Sequence, residues 1–294
     1  MKSRTELKKE WLIKYPLKGL TTFGIGGEAE YFFTPKNAAQ LAGALQQAKR
    51  NGLPVFILGG GSNILIVAKR LSGLVIKLSS PYFKKISSKG KFIYAGSGSP
   101  LSKVLKTAWE KSLSGFEFSA GIPGTVGGAL AMNAGIPGES IFDLLEAAAV
   151  MDYNGKTKII KKDKIKFAYR KSGLDKYIIL SAKFKLKPGQ KEKIRQAIKR
   201  YLESRRTKQD WKGLSAGCVF KNPQPDLSAG RLIDLCGLKG RRQGGAQISR
   251  RHANFIINCA NAKASDVLSL MKLASGRVKN KFGVKLEPEI KIWQ

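Results

Sequence analysis

The chain of 294 residues carries 54 lysines and arginines against 20 aspartates and glutamates, a formal net charge of +34, and 43% of it is hydrophobic. That composition gives a globular protein of two or three subdomains, and no apolar run approaches the ~18 residues of a membrane span, so no membrane insertion is expected. Three cysteines without a CxxC spacing and a single histidine, His252, exclude a disulfide framework and a metal site built on several histidines, and no metal is expected. The lysines are scattered and fit no zinc-finger, RNA-recognition or basic-zipper pattern, so no nucleic-acid partner is expected either; the charge would still draw polyanionic substrates from a distance. The charged segment 1–9 is not followed by an apolar stretch with a cleavage site, which predicts a cytoplasmic protein.

In chain order, residues 37–50 predict a helix, with Asn37 as N-cap, apolar residues at Ala38, Leu41, Leu45 and Ala48, and Asn51-Gly52 as its end. A short apolar strand over 54–58 runs into the loop Gly59-Gly60-Gly61-Ser62-Asn63. A dinucleotide-binding Rossmann turn would open a helix there, but Ile64-Leu65-Ile66-Val67 is strand-like, and no GxxxxGK[ST] occurs. Strands are predicted over 74–78 and 91–95, then a helix to about residue 112 with Ser99 as N-cap and Pro100 at its first position. A second loop without charged residues follows, Ala120-Gly121-Ile122-Pro123-Gly124-Thr125-Val126-Gly127-Gly128 with Asn133-Ala134-Gly135. Glycine admits positive φ and close approach of a ligand, and the small residues could open a helix whose free N–H groups bind an anion. Two readings stand: a backbone cradle for a phosphate-bearing cofactor, or a loop under close-packed elements.

Segments 147–152 and 156–160 flank the hairpin signal Asn154-Gly155, and a strand over 177–187 ends at Pro188-Gly189. A basic amphipathic helix over 191–206 carries the stripe Ile194, Ala197, Ile198, Tyr201 and Leu202. The last third reads as a helix over 229–235, strand segments over 244–248 and 253–258, a helix with Ser265 as N-cap to about Phe282, and a final short strand.

Three side chains could carry chemistry. Cys218 lies in a glycine turn with Lys221 near it, an accessible thiol or a small buried hydrophobe. Arg170 could hold a carboxylate bidentately or sit at the surface. Glu289, between Pro288 and Ile290, is a half-buried carboxylate or a charge at a strand edge. His252 reads as structural or substrate-contacting, since it has no partner histidines.

Seven segments follow in one order: Thr21-Thr22-Phe23-Gly24-Ile25-Gly26-Gly27, Leu58 to Asn63, Ala120 to Gly128 with Asn133 to Gly135, Phe167-Ala168-Tyr169-Arg170-Lys171-Ser172, Ser215 to Pro223, Ala229-Gly230-Arg231-Leu232-Ile233-Asp234 and Leu286-Glu287-Pro288-Glu289. In that order they resemble the UDP-N-acetylenolpyruvylglucosamine reductases, or UDP-N-acetylmuramate dehydrogenases, of bacterial cell-wall synthesis, in their shorter subtype. The resemblance implies an α+β flavoenzyme: a two-subdomain FAD-binding fold of the PCMH type, non-Rossmann, over 1–72 and 73–188, and a C-terminal α+β substrate-binding domain over 189–294 whose last residues could return to the first subdomain. It implies FAD held without a covalent bond by Gly59, Gly60, Gly61, Ser62, Asn63, Gly121, Ile122, Pro123, Gly124, Thr125, Gly127, Gly128, Asn133 and Gly135.

It further implies NADPH as the hydride donor and the enolpyruvyl ether of UDP-N-acetylglucosamine as substrate. The flavin N5 would pass hydride to the β-carbon, and Cys218 would protonate the α-carbon. Arg170 and Glu289 would stabilise the enolate-like carboxylate, and Tyr169, Lys221, Asn222 and His252 would contact substrate. Cysteine stands where the family more often has serine, and Asp210 and Leu214 stand where prolines are expected. The span from Arg170 to Cys218 has no room for the insert of the longer subtype. An FAD-dependent oxidase of the same fold and a basic nucleic-acid-binding protein are the alternatives.

Overall fold

Asn37 starts the first helix of the structure, a computed structural model that describes residues 10–210 and 213–294. Its side chain accepts from the Gln40 N–H, and the helix Ala38–Arg50 ends at Asn51. The expectation for segment 1–9 lies outside the described residues. The chain groups into two units. The first takes the residues up to Tyr15, then Ala29–Gly60 and Ser72–Leu202. The second takes Pro16–Glu28, Gly61–Leu71 and Glu203–Gln294.

The first unit holds two sheets. One has four strands in the order Leu12–Pro16, Glu28–Phe33, Arg70–Lys77, Val55–Leu58, the last two parallel. The helix Ala38–Arg50 covers it, burying Leu41 and Leu45 with Tyr31, Phe33, Leu74 and Ile76. The other sheet is antiparallel, in the order Thr157–Lys161, Leu145–Met151, Ile178–Lys185, Phe92–Gly96, Ile86–Lys89. Its alternation points Ile93, Ala95, Ala148, Val150, Ala182 and Phe184 into a core shared with the helices Leu101–Glu110 and Val126–Ala131. The amphipathic helix, Lys191–Lys208, lays Ile198, Tyr201 and Leu202 on that core and buries Ile194. The Asn154-Gly155 hairpin forms: Gly155 takes a φ of +87°, and the Asp152 carboxylate accepts from the N–H groups of Asn154 and Lys156, both at 2.9 Å.

The second unit has the helices Ala229–Leu235 and Ala264–Phe282 and a small sheet of Arg242–Gln243, Ala246–Ile248 and Ile256–Asn258. The terminal strand Lys291–Trp293 runs parallel to Ile64–Ile66. Phe23 and Leu65 are buried with Val219, Phe220, Ile233, Ile256, Met271 and Leu286. Segments placed by sequence in the first third therefore share a core with the last third.

Two caps fall elsewhere than expected. The helix after Pro100 is capped by Pro100 itself, and the Ser99 hydroxyl is buried without a hydrogen-bond partner among the described residues. The long C-terminal helix begins after Lys263, whose N–H donates to Asp266 Oδ2 at 2.9 Å, so an aspartate three residues in does the capping rather than Ser265.

Candidate active site

In the first unit, the strand Val55–Leu58 delivers Gly59 and Gly60 against the second glycine loop. A Cβ built on Gly60 would stand 2.7 Å from Gly124 Cα, and one on Gly59 would stand 3.1 Å from Thr125 Oγ1. Gly121 and Gly124 take φ values of +76° and +118°, which side chains on L-residues resist. The loop is tied to the sheet: Leu101 N–H donates to Gly124 O, Val126 N–H to Ser99 O and Gly127 N–H to Ser97 O. Thr125 then caps the helix Val126–Ala131, accepting from Gly128 N–H.

These bonds overturn one expectation. The first-turn N–H groups of Val126, Gly127 and Gly128 are committed inside the protein, so no set of free helical donors faces an anion there. What the cradle offers is close backbone surface. Beside it, the buried Ser97 Oγ and Ser99 Oγ lack a hydrogen-bond partner among the described residues, as does Asn133 Oδ1 at the end of the helix. Buried polar atoms are ordinarily satisfied. Three of them around a glycine surface without a charged side chain fit a polar, phosphate-linked cofactor such as FAD.

Asn133, at a φ of +43°, donates from Nδ2 to Ala168 O at 3.0 Å. Ala168 pairs with Lys171 in the tight hairpin that presents Tyr169 and Arg170. Arg170 is half-buried, takes a φ of +53°, packs its guanidinium 5.1 Å from the Tyr169 ring, and donates from Nη1 to Gly135 O at 3.3 Å. Gly135 pairs with Ser140, and a Cβ there would stand 2.2 Å from Glu139 O. Glu139 accepts a 2.6 Å bond from Tyr201 Oη, and this bond is the main cause that pushes the phenol up to about 12. A chain of contacts thus runs from Tyr201 through Glu139 and Gly135 to Arg170. Sequence placed Tyr201 in an apolar stripe and gave no sign that its hydroxyl had a task.

In the second unit, Gly61, Ser62 and Asn63 continue the first loop. Gly61 at φ +67° lies where a Cβ would meet Leu20 O at 2.0 Å. Thr22 links two loops: its N–H donates to Gly61 O at 3.1 Å and its hydroxyl to Ser215 O at 2.6 Å. Asn63 donates from Nδ2 to Glu289 O, and Asn63 O accepts from Lys291 N–H. Glu289 N–H in turn donates to Val219 O at 2.8 Å, next to the half-buried Cys218. Asn63, Glu289 and the Cys218 turn are therefore held as one bonded group.

Asn254, which sequence did not single out, fixes that turn. It is 1% exposed, its backbone carbonyl accepts from Val219 N–H, its Oδ1 accepts from Phe220 N–H at 3.0 Å, and its Nδ2 donates to Phe220 O at 2.8 Å. The remaining sequence candidates have partners of their own. Lys221 Nζ is 3.2 Å from Glu287 Oε2. Asn222 Oδ1 accepts from Ala229 N–H at the start of a helix. The His252 ring packs tilted against Phe255, with centroids 4.8 Å apart, and its Nδ1 accepts from Asn254 N–H. Burial holds its imidazole below the ordinary histidine value, so it is neutral near pH 7.

The structure thus brings together Gly59, Gly60, the 121–128 loop, Asn133, Gly135, Tyr169 and Arg170 in one unit, and Gly61 to Asn63, Cys218, Lys221, Asn222, His252 and Glu289 in the other. Among the described residues no His, Cys, Asp and Glu group could hold a metal ion.

A family model described as FAD binding domain matches residues 29–161, and one described as the C-terminal domain of UDP-N-acetylenolpyruvoylglucosamine reductase matches 209–293. A UDP-N-acetylenolpyruvoylglucosamine reductase of Moorella thermoacetica is 40% identical over 99% of this chain and 95% of its own. The crystal structure of UDP-N-acetylenolpyruvylglucosamine reductase from Thermus caldophilus superposes with a TM-score of 0.83 at 37% identity, covering 97% of this chain and 98% of that one. Phl p 4.0202, described as a glucose dehydrogenase, has a TM-score of 0.51 at 19% identity over 63% of this chain and 43% of that one, and shares the fold alone.

Proposed function

Because the chain belongs to the UDP-N-acetylenolpyruvoylglucosamine reductase family, we propose that it reduces the enolpyruvyl ether of UDP-N-acetylglucosamine to UDP-N-acetylmuramate for peptidoglycan, with NADPH as electron source. FAD, when bound, supplies the hydride transfer. The glycine loops at 59–63 and 121–128, with Asn133 and Gly135, hold it without a covalent bond. In this reading subdomains 1–72 and 73–188 serve the cofactor and 189–294 the substrate, in the cytoplasm; no helix among the described residues is long and apolar enough to cross a membrane.

Arg170 binds the enolpyruvyl carboxylate, where negative charge grows during reduction, and a preorganised cation is worth most at that point. Its positive φ and the bond to Gly135 O limit the orientations of the guanidinium. Glu289 acts on the same developing charge. Cys218 gives its proton to the α-carbon; a thiol is a stronger acid than the serine hydroxyl it replaces. Tyr169, Lys221, Asn222 and His252 contact the substrate.

The observation that carries the reading is the bonded group of Asn63, Glu289 and the Cys218 turn, in which a cofactor loop, a carboxylate and a proton donor share backbone hydrogen bonds. The test is Cys218→Ala against Cys218→Ser. Serine should keep substantial turnover. Alanine should leave flavin bleaching by NADPH unchanged and slow reoxidation by the enolpyruvyl substrate by about 10²–10⁴, the worth of a positioned general acid. Wild-type turnover of Cys218→Ala would make the cysteine a packing residue.

A further inference from the structure

The five-stranded antiparallel sheet has two unlike faces. Its register sets Lys161, Ala147, Lys183 and Tyr94 in one cross-strand row on the face away from the core. Ile159 and Ala149 form a neighbouring row, and Lys185, Phe92 and Lys89 another. No carboxylate occupies these positions. Ile159 is 75% exposed, Tyr94 is 39% exposed, and Lys183 Nζ lies 4.0 Å from the Phe92 ring centroid.

Lysines on an edge strand can serve only to block strand addition. That explanation reaches Lys161, but Lys183 lies on the middle strand and Tyr94 on the next, where both sides are already paired. A lysine-rich array set around an exposed aliphatic and an exposed aromatic side chain, with Glu146 at the bulge beside Ala147, is a composition that suits an interfacial surface.

We propose that this face docks the protein on an anionic phospholipid surface. The ammonium groups of Lys161, Lys183, Lys185 and Lys89 meet lipid phosphates, and Ile159 and Tyr94 enter the headgroup layer. The formal charge of +34 steers the approach. A nucleic-acid strand would satisfy the lysines but gain nothing from Ile159, which offers no ring for a base to stack on. This surface is independent of the reductase reading.

The test is co-sedimentation of the full-length, flavin-loaded protein with vesicles of phosphatidylglycerol and phosphatidylcholine in equal parts, against phosphatidylcholine alone. Binding is expected only to the anionic vesicles and should weaken as salt rises. Lys161→Glu with Lys183→Glu should weaken it by about tenfold or more, and Ile159→Asp should weaken it at low and high salt alike. Lys208→Glu with Lys285→Glu changes the net charge equally elsewhere and should leave binding within about threefold. Retained flavin content shows that each variant is folded. The proposal is overturned if wild type ignores anionic vesicles, if the two double variants lose binding equally, or if single-stranded RNA binds and vesicles do not.

Discussion

Asn254 shows how a residue outside the reacting groups governs them. Its three hydrogen bonds define the Cys218 turn, and all are buried. Asn254→Ala would leave the Phe220 N–H and C=O unpaired, which costs ~1–3 kcal/mol. A urea midpoint should fall accordingly, and reoxidation by the enolpyruvyl substrate should slow while NADPH still bleaches the flavin at the wild-type rate. Equal loss in both half-reactions would show that the fold rather than the turn is damaged. Tyr201→Phe addresses Arg170 in the same way. Removing the bond to Glu139 should loosen the hairpin that packs on Gly135 and raise KM for the enolpyruvyl substrate several-fold, with flavin content unchanged. His252 supplies the pH dependence. Its folded value is depressed by burial, so below about 6.5 the unfolded chain binds the extra proton and the native state does not. The stability it contributes is full above that value and is lost as pH falls toward the folded value. Tm should therefore drop between pH 7.5 and pH 5.5, and His252→Gln should flatten that drop.

The elements sort by how local their causes are. Asn37, the Asn154-Gly155 turn and the apolar stripe of 191–206 act within a few residues of themselves, so their sequence shows them. Two caps moved: Asp266 caps the C-terminal helix in place of Ser265, and the helix expected to start at Pro100 starts one residue later with no side-chain cap, shifts that periodicity does not decide. The glycine loops were legible as a close backbone surface, but not the fate of their N–H groups. Ser97 O and Ser99 O, brought in by another strand end, take donors that the 120–128 segment by itself leaves open. Asn254 and Tyr201 were illegible for a related reason. Asn254 interrupts an apolar run and Tyr201 reads as part of one, and only the fold puts a partner beside each. The cradle yields a graded prediction. A Cβ on Gly128 would meet nothing closer than Thr125 Oγ1 at 3.6 Å, whereas one on Gly60 would strike Gly124 backbone. Gly128→Ala should therefore fold with wild-type Tm, and any loss of flavin in it reports approach of the cofactor itself. Gly60→Val should lose both flavin and stability. Full flavin in Gly60→Val would remove the loop from the cofactor site.

At the scale of the molecule, the residues proposed for the reaction divide between the two units. One carries Arg170 with most of the glycine surface, and the other carries Cys218 and Glu289 on a shared backbone network. In the reaction proposed above, one flavin serves two substrates in turn, with these side chains acting only in the second exchange. The most direct measurement follows the flavin absorbance of the purified protein without oxygen. NADPH should bleach it, and UDP-N-acetylglucosamine enolpyruvate added afterwards should restore it with formation of UDP-N-acetylmuramate. In Arg170→Ala and Glu289→Ala the bleaching should persist and the recovery should slow by ~10² or more. A flavin that NADPH does not bleach, or that stays bleached until air is admitted, would contradict the account.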